Sequence, residues 1–344
     1  DVYDQWGNTT HFQFNIDSVL PIAFDLFPMG NEWFGSSVVR TEITFYDNDG
    51  YGLDTDSIAY SYRKNGEGTF SGWSSDGMEF EIMENGEEGY PVKVRAWTEL
   101  TFNEGDRNAV MWRISDMSGN GPVYSEKRAV KVDLTPVTFS EPMPDDEIST
   151  ETTVSAGITI NDMGGSGVDG KTVEYSISAW GDDEELFTNW TIINNNVVKE
   201  NLIILMDIEF EPGRENYIKW RAKDAVGNGF AMSEANQVWI NSPPAVVIDA
   251  PYDDETFVEG STIRLSAEGT TDNEEDELGY YWVIKGKTSK KIVFKGHNME
   301  TQAVLDQAGK YLVYLHVDDG FGFNESVKLE IEITPKPTGK EAER

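Results

Sequence analysis

Large apolar residues recur at every second position in several stretches of this chain. Segments 110–114 and 218–222 each place a tryptophan between smaller apolar residues, and the intervening positions are charged except for Met111. Segments 263–267 and 311–317 repeat the same alternation further along. A period of two indicates strands with one buried face. The pattern therefore predicts β-strands, with Trp112, Trp220 and Trp282 in the cores.

The chain also repeats itself. The motif Trp-Arg-x-x-Asp-x-x-Gly-Asn starts at Trp112 and again at Trp220, 108 residues later. Upstream, the stretch from Ile43 resembles the stretch from Ile158. Repetition at this period indicates modules of one plan. The opening residues carry the closing pattern of such a module without its body, so we expect a terminal hairpin from a preceding module there.

Each part of the motif has a local structural cause. Asp116 can accept hydrogen bonds from the following amides, and Gly119 can supply the positive φ of a hairpin turn. Prolines after the next strand stop pairing and stiffen the junction. The predicted division is 1–20 as a terminal hairpin of a preceding module, 21–136 and 137–243 as two modules, 244–335 as a third, and 336–344 as a linker.

Composition narrows the class of protein. The chain of 344 residues is too long for one sandwich of roughly 100 residues, and 38% hydrophobic residues suffice for real cores. Its formal charge of −35 repels nucleic acid and attracts divalent cations. The absence of cysteine excludes disulfides and thiolate metal sites. No segment reaches the ~20 apolar residues that span a bilayer, so we expect an export signal and any anchor to lie outside this stretch.

The motifs resemble two known families. The acidic run 272–277, Tyr281-Trp282, the Gly-x-Tyr at 309–311 and the Val-x-Asp at 317–319 resemble the polycystic kidney disease (PKD) domain. The earlier modules resemble bacterial and archaeal Ig-like surface repeats through these matching residues: Asp116, Gly119, Asn120, Val132, Asp133, Thr135 and Pro136. In the second module Asn241 and Ser242 depart from that pattern. The resemblance implies an all-β chain of tandem immunoglobulin-like β-sandwiches arranged end to end.

Catalytic chemistry finds little support in the residue pattern. The three histidines, His11, His297 and His316, lack metal-ligand spacing, and neither a nucleophile elbow nor a phosphate-binding loop occurs. Scattered carboxylate pairs are expected by chance in so acidic a chain. We therefore predict that the chain is not an enzyme.

Calcium binding is the main chemical hypothesis. Asp47, Asp49, Asp54 and Asp56 cluster in one short stretch that begins like an EF-hand loop but has Ile58 at its twelfth position. Ca²⁺ takes six to eight oxygens from such groups. Asp272 and Asp276 form a second candidate. The corresponding stretch from Asp162 to Asp169 has only two acids, which favours a plain Gly-rich turn there.

Asn8, Asn189 and Asn324 fit the sequon for N-glycosylation and become relevant if the chain is exported. Exposed tryptophans in loops would suit sugar binding.

The functional prediction is a non-catalytic structural or adhesive stalk of a cell-surface or secreted protein, located outside the cell. Its partners would be other surface proteins, neighbouring modules or glycans. Nucleic-acid binding and direct membrane insertion are not expected. Two alternatives stay open: a glycan-binding accessory region of a secreted hydrolase, and a subunit of a surface lattice or envelope assembly.

Overall fold

The computed structural model describes residues 2–3, 9–10, 16–48, 51–86, 89–145 and 147–337. Near the start, strands β1 (Val2–Tyr3) and β2 (Thr9–Thr10) pair antiparallel. The rest of the described chain forms β-strands around three separate cores, with two single-turn 3₁₀ helices at Gly170–Thr172 and Glu184–Leu186. The fold is all-β, as predicted.

Module 1 is a sandwich of two sheets. Its strands are β3 (Ile22–Phe27), β4 (Trp33–Phe34), β5 (Val38–Tyr46), β6 (Leu53–Arg63), β7 (Glu79–Asn85), β8 (Pro91–Thr101), β9 (Gly105–Asp116), β10 (Val123–Tyr124) and β11 (Arg128–Val132). One sheet has the order β3-β5-β8-β7, and the other has β10-β9-β11-β4 with β6 also on β9. Ile43 of β5 and Trp112 of β9 meet in the core between them, and both are fully buried.

Module 2 repeats this plan. Its strands are β12 (Thr138–Met143), β13 (Ile148–Ser149), β14 (Thr153–Asn161), β15 (Val168–Asp169), β16 (Glu174–Ser178), β17 (Thr191–Ile192), β18 (Val198–Lys199), β19 (Asn201–Glu209), β20 (Gly213–Ala222), β21 (Ala231–Met232) and β22 (Asn236–Ile240). Sheet β12-β14-β19 packs on sheet β13-β22-β20-β16-β17. Trp220 of β20 lies in this core and is 1% exposed.

Module 3 has fewer strands. They are β23 (Glu255–Val258), β24 (Thr262–Ser266), β25 (Gly279–Gly286), β26 (Ile292–Gly296), β27 (Glu300–Val304), β28 (Gly309–Asp318) and β29 (Asn324–Thr334). The pair β24-β27 covers the sheet β23-β29-β28-β25-β26. Trp282 is fully buried, and its indole N–H donates to the Asn298 carbonyl at 2.9 Å.

The alternation seen in the sequence is thus confirmed as burial. On β20, Ile218, Trp220 and Ala222 are buried, while Lys219 and Arg221 point away from the core. The predicted turn is confirmed too, because Gly119 has φ +86° within the hairpin after β9. In module 1, the loop between β5 and β6 and the hairpin after β9 both contact the chain segment that precedes β3. The equivalent loops of module 2 contact the end of module 1.

Candidate functional site

The candidate site is the place where one segment of chain enters the next module. Asp17 precedes β3 of module 1, Asp133 directly follows β11, and Asn241 directly follows β22. We call these places junction 1, junction 2 and junction 3. At each of them, side-chain hydrogen bonds join the entering residue to loops of the next module.

Junction 2 shows the arrangement most fully. The side-chain amide of Asn228 donates to the Asp133 carbonyl at 3.1 Å and to Asp224 Oδ2 at 2.7 Å. The other oxygen of Asp224 accepts from the amides of Gly227 and Asn228, at 2.8 and 2.9 Å. Asp133 Oδ2 accepts from the Ser166 amide at 2.8 Å. The side chain of Asn228 and the amide of Ser166 thus both bind Asp133, the residue that follows β11.

Junction 1 repeats these contacts. The side-chain amide of Asn120 donates to the Asp17 carbonyl at 3.2 Å and to Asp116 Oδ2 at 2.7 Å. Asp116 Oδ1 accepts from the Asn120 amide at 2.7 Å, and Asp17 Oδ2 accepts from the Tyr51 amide at 3.0 Å. The Asp-x-x-Gly-Asn motif therefore does more than make a turn, because its asparagine reaches across the junction.

Junction 3 reverses the direction of the bond. Phe323 stands four residues after Asp319, where the other two hairpins have asparagine. The amide comes instead from the entering residue, since Asn241 Nδ2 donates to Asp319 Oδ2 at 2.8 Å. The departure of Asn241 from the sequence pattern is thereby explained: the side-chain amide has moved from the hairpin to the entering residue, while the hairpin keeps its aspartate.

Further contacts strengthen junction 3. Ser242 Oγ donates to Glu274 at 2.9 Å, and Arg214 pairs with Asp276 across the two modules. The Arg214 guanidinium also lies 4.4 Å from the centre of the Trp239 ring. A charge-assisted bond and a cation–π contact on one arginine fix both partners strongly.

Modules 1 and 2 each contribute a second carboxylate to their junction. Asp47 Oδ2 accepts from the Gly52 amide at 2.8 Å, next along the chain from the Tyr51 amide that binds Asp17. Asp162 Oδ2 accepts from the Gly167 amide at 2.6 Å, beside the Ser166 amide that binds Asp133. Adjacent amides hold these pairs of carboxylates, so each pair lies close together.

Burial and neighbouring negative charges raise the pKa values of Asp162 and Asp47. Burial raises the pKa of Asp162 to about 6, against the hydrogen bond from Gly167, and the charges of Asp133 and Asp224 add to the rise. Burial likewise raises the pKa of Asp47, with the neighbouring charges of Asp17 and Asp116 contributing. Junctions 1 and 2 thus concentrate negative charge in a desolvated position.

An acidic group also lies at junction 3. One oxygen each from Asp272, Glu274 and Asp276 lie within 4.8 Å of one another. Burial raises the pKa of Asp276, and Arg214 opposes that rise. The two residues named from the sequence here, Asp272 and Asp276, are therefore brought together, with Glu274 as an added neighbour.

The other predicted calcium ligands lie in different parts of the structure. Asp47 lies at junction 1, whereas Asp54 and Asp56 lie on β6, where the Asp56 amide donates to Asp54 Oδ1 at 3.1 Å. Asp49 lies outside the described residues. Sequence reasoning treated Asp116 and Asp133 as turn and boundary residues. It missed that Asp116 lies with Asp17 at junction 1 and that Asp133 lies with Asp224 at junction 2. The repeated aspartates at the ends of equivalent strands were the available signal.

Two of the three sequons can be placed. Asn189 and Asn324 are exposed, and Asn8 lies outside the described residues. Among the loop tryptophans, Trp180 is 79% exposed, while Trp73 packs against Tyr124 and Arg113.

An aromatic row lies on the outer face of module 3. Tyr281 has His297 at 4.9 Å and His316 at 6.1 Å between ring centroids, and His316 stacks near-parallel on Tyr314 at 6.4 Å. Tyr281, His297 and His316 also line a cleft of about 560 Å³. The row offers partly exposed ring faces to a flat ligand.

Comparisons with known proteins find weak structural similarity only. No protein-family model and no curated protein matches the chain. Among solved structures, the ICAM-5 D1–D4 ectodomain fragment is similar at TM-score 0.40 and 12% identity, covering 92% of this chain and 77% of that one. The four N-terminal Ig domains of Dscam1 give 0.32 and 15%, covering 93% and 79%. The fibronectin(III)-like modules of Clostridium thermocellum CbhA give 0.24 and 11%, covering 58% and 94%.

The described residues contain no helix of the length and apolarity that crossing a membrane requires. The structure itself establishes the class of the fold: the described chain is all-β and forms three tandem modules of packed β-sheets.

Proposed function

We propose that this chain is a non-catalytic extracellular stalk whose modules are held in fixed relative orientation by their junctions. The observation that supports this most is the clamp repeated at junctions 1 and 2. In both, a hairpin asparagine donates to the main-chain carbonyl of the entering aspartate, at 3.2 and 3.1 Å. A flexible linker would not hold this contact in one geometry at two separate junctions.

The clamp acts in a buried setting, which makes it effective. Asp133 and Asp224 are 0% and 1% exposed, and Asp116 is 2% exposed. Breaking a buried hydrogen bond leaves its partners unsatisfied, at about 1–3 kcal/mol per group. Bending junction 2 would break the contacts of Asp133 with Ser166 and Asn228 together. A stiff array of this kind extends reach from a surface, and many copies gain avidity.

The partners of such a stalk follow from its charge and faces. A net charge of −35 disfavours nucleic acid and anionic headgroups. Other surface proteins, neighbouring modules and glycans fit better, and exposed Asn189 and Asn324 are compatible with a glycosylated surface protein.

Distance measurement across junction 2 tests the proposal. Because the chain has no native cysteine, spin labels at Glu99→Cys and Glu209→Cys would be its only thiols, and both positions are exposed. Asn228→Ala should broaden the interspin distance distribution in pulsed EPR, because it removes the amide that joins Asp133 to Asp224. Asn201→Ala, which breaks only a 2.6 Å bond to Asn161 inside module 2, should leave the width unchanged.

A second candidate function is glycan binding by the aromatic row of module 3. The ring faces of Tyr281, His316 and Tyr314 lie roughly parallel, at 30° and 6° between successive rings. Sugars stack on such faces, and this would suit an accessory region of a secreted hydrolase.

Tyr281→Ala should weaken glycan binding by about tenfold, equivalent to roughly 1.4 kcal/mol of stacking. Binding to a panel of immobilised oligosaccharides measures this. Tyr252→Ala is the control, because Tyr252 is 73% exposed in the same module and lies outside the row. Equal binding by both variants would remove this candidate.

A further inference from the structure

The sheets that contain β5 in module 1 and β14 in module 2 end differently. In module 1, β7 pairs with β8 and covers the edge of that strand. In module 2, the chain between β16 and β19 joins the other sheet instead, where β17 pairs with β16. Within residues 147–337, β19 pairs with β14 alone, so the second edge of β19 is open.

Strand β19 occupies the place that β8 has in module 1. The Phe102 amide, directly after β8, donates to the Ser37 carbonyl at 2.8 Å. The Phe210 amide, directly after β19, donates to the Thr152 carbonyl at the same distance. Each residue of β19 therefore corresponds to the residue 108 positions earlier in β8. Module 2 has the strand but lacks the neighbour that covers it in module 1.

The open edge of β19 presents unpaired main-chain groups. The strand pairs with β14 without interruption from Asn201 to Glu209. Main-chain bonds at its two ends, from the Asp162 amide to the Glu200 carbonyl and from the Phe210 amide, show that its even-numbered residues bond to β14. In an antiparallel pair, the alternate residues direct their N–H and C=O groups to the opposite side. The odd-numbered residues of β19 therefore offer a row of donors and acceptors to another strand.

The side chains on the outer face beside this edge are apolar. Ile203 and Leu205 are 69% and 60% exposed. The corresponding residues of β8 are Arg95, which forms an ion pair, and Trp97, which lies beneath an arginine. Loss of the covering strand thus coincides with the replacement of paired, polar surface residues by bare aliphatic ones.

Two other edge strands of modules 1 and 2 carry features that prevent pairing with another chain. Strand β7 has three glutamates and two breaks in register. Strand β12, at the far side of the sheet that ends in β19, contains Pro142 and a break in register. Charges, prolines and bulges are the usual protection of an edge. Strand β19 has neither proline nor bulge, and its two acids, Asp207 and Glu209, are confined to its last three residues.

We propose that β19 pairs antiparallel with β19 of a second copy of this chain, about a two-fold axis at Ile204, so that two stalks are joined side by side. The residues that then face each other between copies are Ile203 with Leu205, Asn201 with Asp207, and Lys199 with Glu209. Apolar residues meet apolar ones, an amide meets a carboxylate, and the exposed lysine meets a glutamate. The inference goes beyond the proposed stalk, because it concerns contacts between stalks.

The pattern of the strand selects this partner and register. Displacing the register by two residues would place Leu205 against Asn201, or Ile203 against Asp207. Pairing with β7 of another copy would set its three glutamates against a strand that is itself acidic. Like charges directly opposite each other destabilise strand pairs. The edge is therefore more complementary to itself than to the other acidic edge.

Sedimentation equilibrium of the whole chain over a range of concentrations tests the inference. We expect a monomer–dimer equilibrium that strengthens with NaCl, because salt screens the repulsion between two chains of charge −35. Ile203→Lys should weaken dimerisation by more than about tenfold, since the two-fold axis removes two cross-strand pairs at once. Ile192→Lys is the matched control, because Ile192 is 61% exposed on β17 and the added charge is the same.

A second variant acts on the main chain. Leu205→Pro removes an N–H that points to the open edge and leaves the bonds to β14 in place, as proline in an edge strand allows. It should also abolish the dimer, while thermal unfolding of module 2 changes little. A dimer that persists in both Leu205→Pro and Ile203→Lys would overturn the inference.

Asn201→Cys with Asp207→Cys checks the register. These positions lie about 20 Å apart within one strand, so a disulfide cannot form between them in one chain. The chain has no native cysteine. Mild oxidation should therefore give a covalent dimer, and Asn201→Cys alone should give none.

A chain that is monomeric at every concentration and salt level, or equal cross-linking by the single and double cysteine variants, would contradict the proposed pairing. The stalk proposal is tested separately. A monomer with narrow distance distributions across the junctions would overturn the dimer and leave the stalk, and a dimer with broad distributions would do the reverse.

Discussion

Trp220→Ala should unfold module 2 while modules 1 and 3 remain folded. Trp220 is 1% exposed, and its ring lies 5.8 Å from that of Tyr175 within the core of module 2. Truncation of a buried tryptophan costs about 3–5 kcal/mol. That is a large share of the stability of one domain of this size, roughly 5–15 kcal/mol. Because the three cores are separate, the loss should stay local.

Hydrogen exchange followed by mass spectrometry would measure this module by module. Protection should fall across β14, β19 and β20 and persist in β9 and β28. Trp180→Ala is the matched control, because Trp180 is in the same module and 79% exposed. Loss of protection across all three modules at once would mean that they fold as one unit, against the modular description.

Asp319→Ala should destabilise module 3 by more than about 3 kcal/mol. Asp319 is 1% exposed, and its Oδ1 accepts from three amides of the hairpin, those of Phe321, Gly322 and Phe323, at 2.8 to 3.1 Å. Its Oδ2 accepts from Asn241 across junction 3. Each donor left unsatisfied costs about 1–3 kcal/mol. Thermal unfolding monitored in module 3 measures the loss.

The same aspartate gives a pH dependence with a defined sign. Burial would raise the pKa of Asp319, but the hydrogen bonds from Phe321 and Asn241 outweigh it, so its pKa lies below the usual 3.8. Its contribution is therefore fully present above pH 3.8 and is lost as the pH falls through the folded-state value. Asp318→Ala is the control, because Asp318 is exposed and accepts only the Gly320 amide at 2.7 Å. Equal stability of the two variants would contradict the role given to Asp319.

Local patterns predicted most of the fold. Alternation on β9, β20 and β28 located their buried faces, and the two-residue period needs only neighbouring positions to be read. The core tryptophans followed from the same signal. Gly119 and its aspartate predicted a turn because the physics of a hairpin is local as well.

The junction contacts could not be read in this way, because they join distant positions. Asn120 lies 103 residues from Asp17, and Asn228 lies 95 residues from Asp133. Within one stretch of sequence, Asp47 groups with Asp54 and Asp56, since nearness along the chain is all that a sequence shows. The folded chain places Asp47 beside Asp17 and Asp116 instead. Likewise, the presence of Asn241 is explained only by the fold. It supplies the side-chain amide that the third hairpin lacks, because that hairpin has Phe323 in place of asparagine.

Fixed junctions are the central claim, and pulsed EPR on the otherwise unaltered chain tests it most directly. Labels at Glu99→Cys and Glu209→Cys span junction 2, and labels at Glu209→Cys and Lys328→Cys span junction 3, all at exposed positions. The clamps predict one narrow distance distribution for each pair. Broad distributions at both junctions, like those of modules on free linkers, would contradict the account.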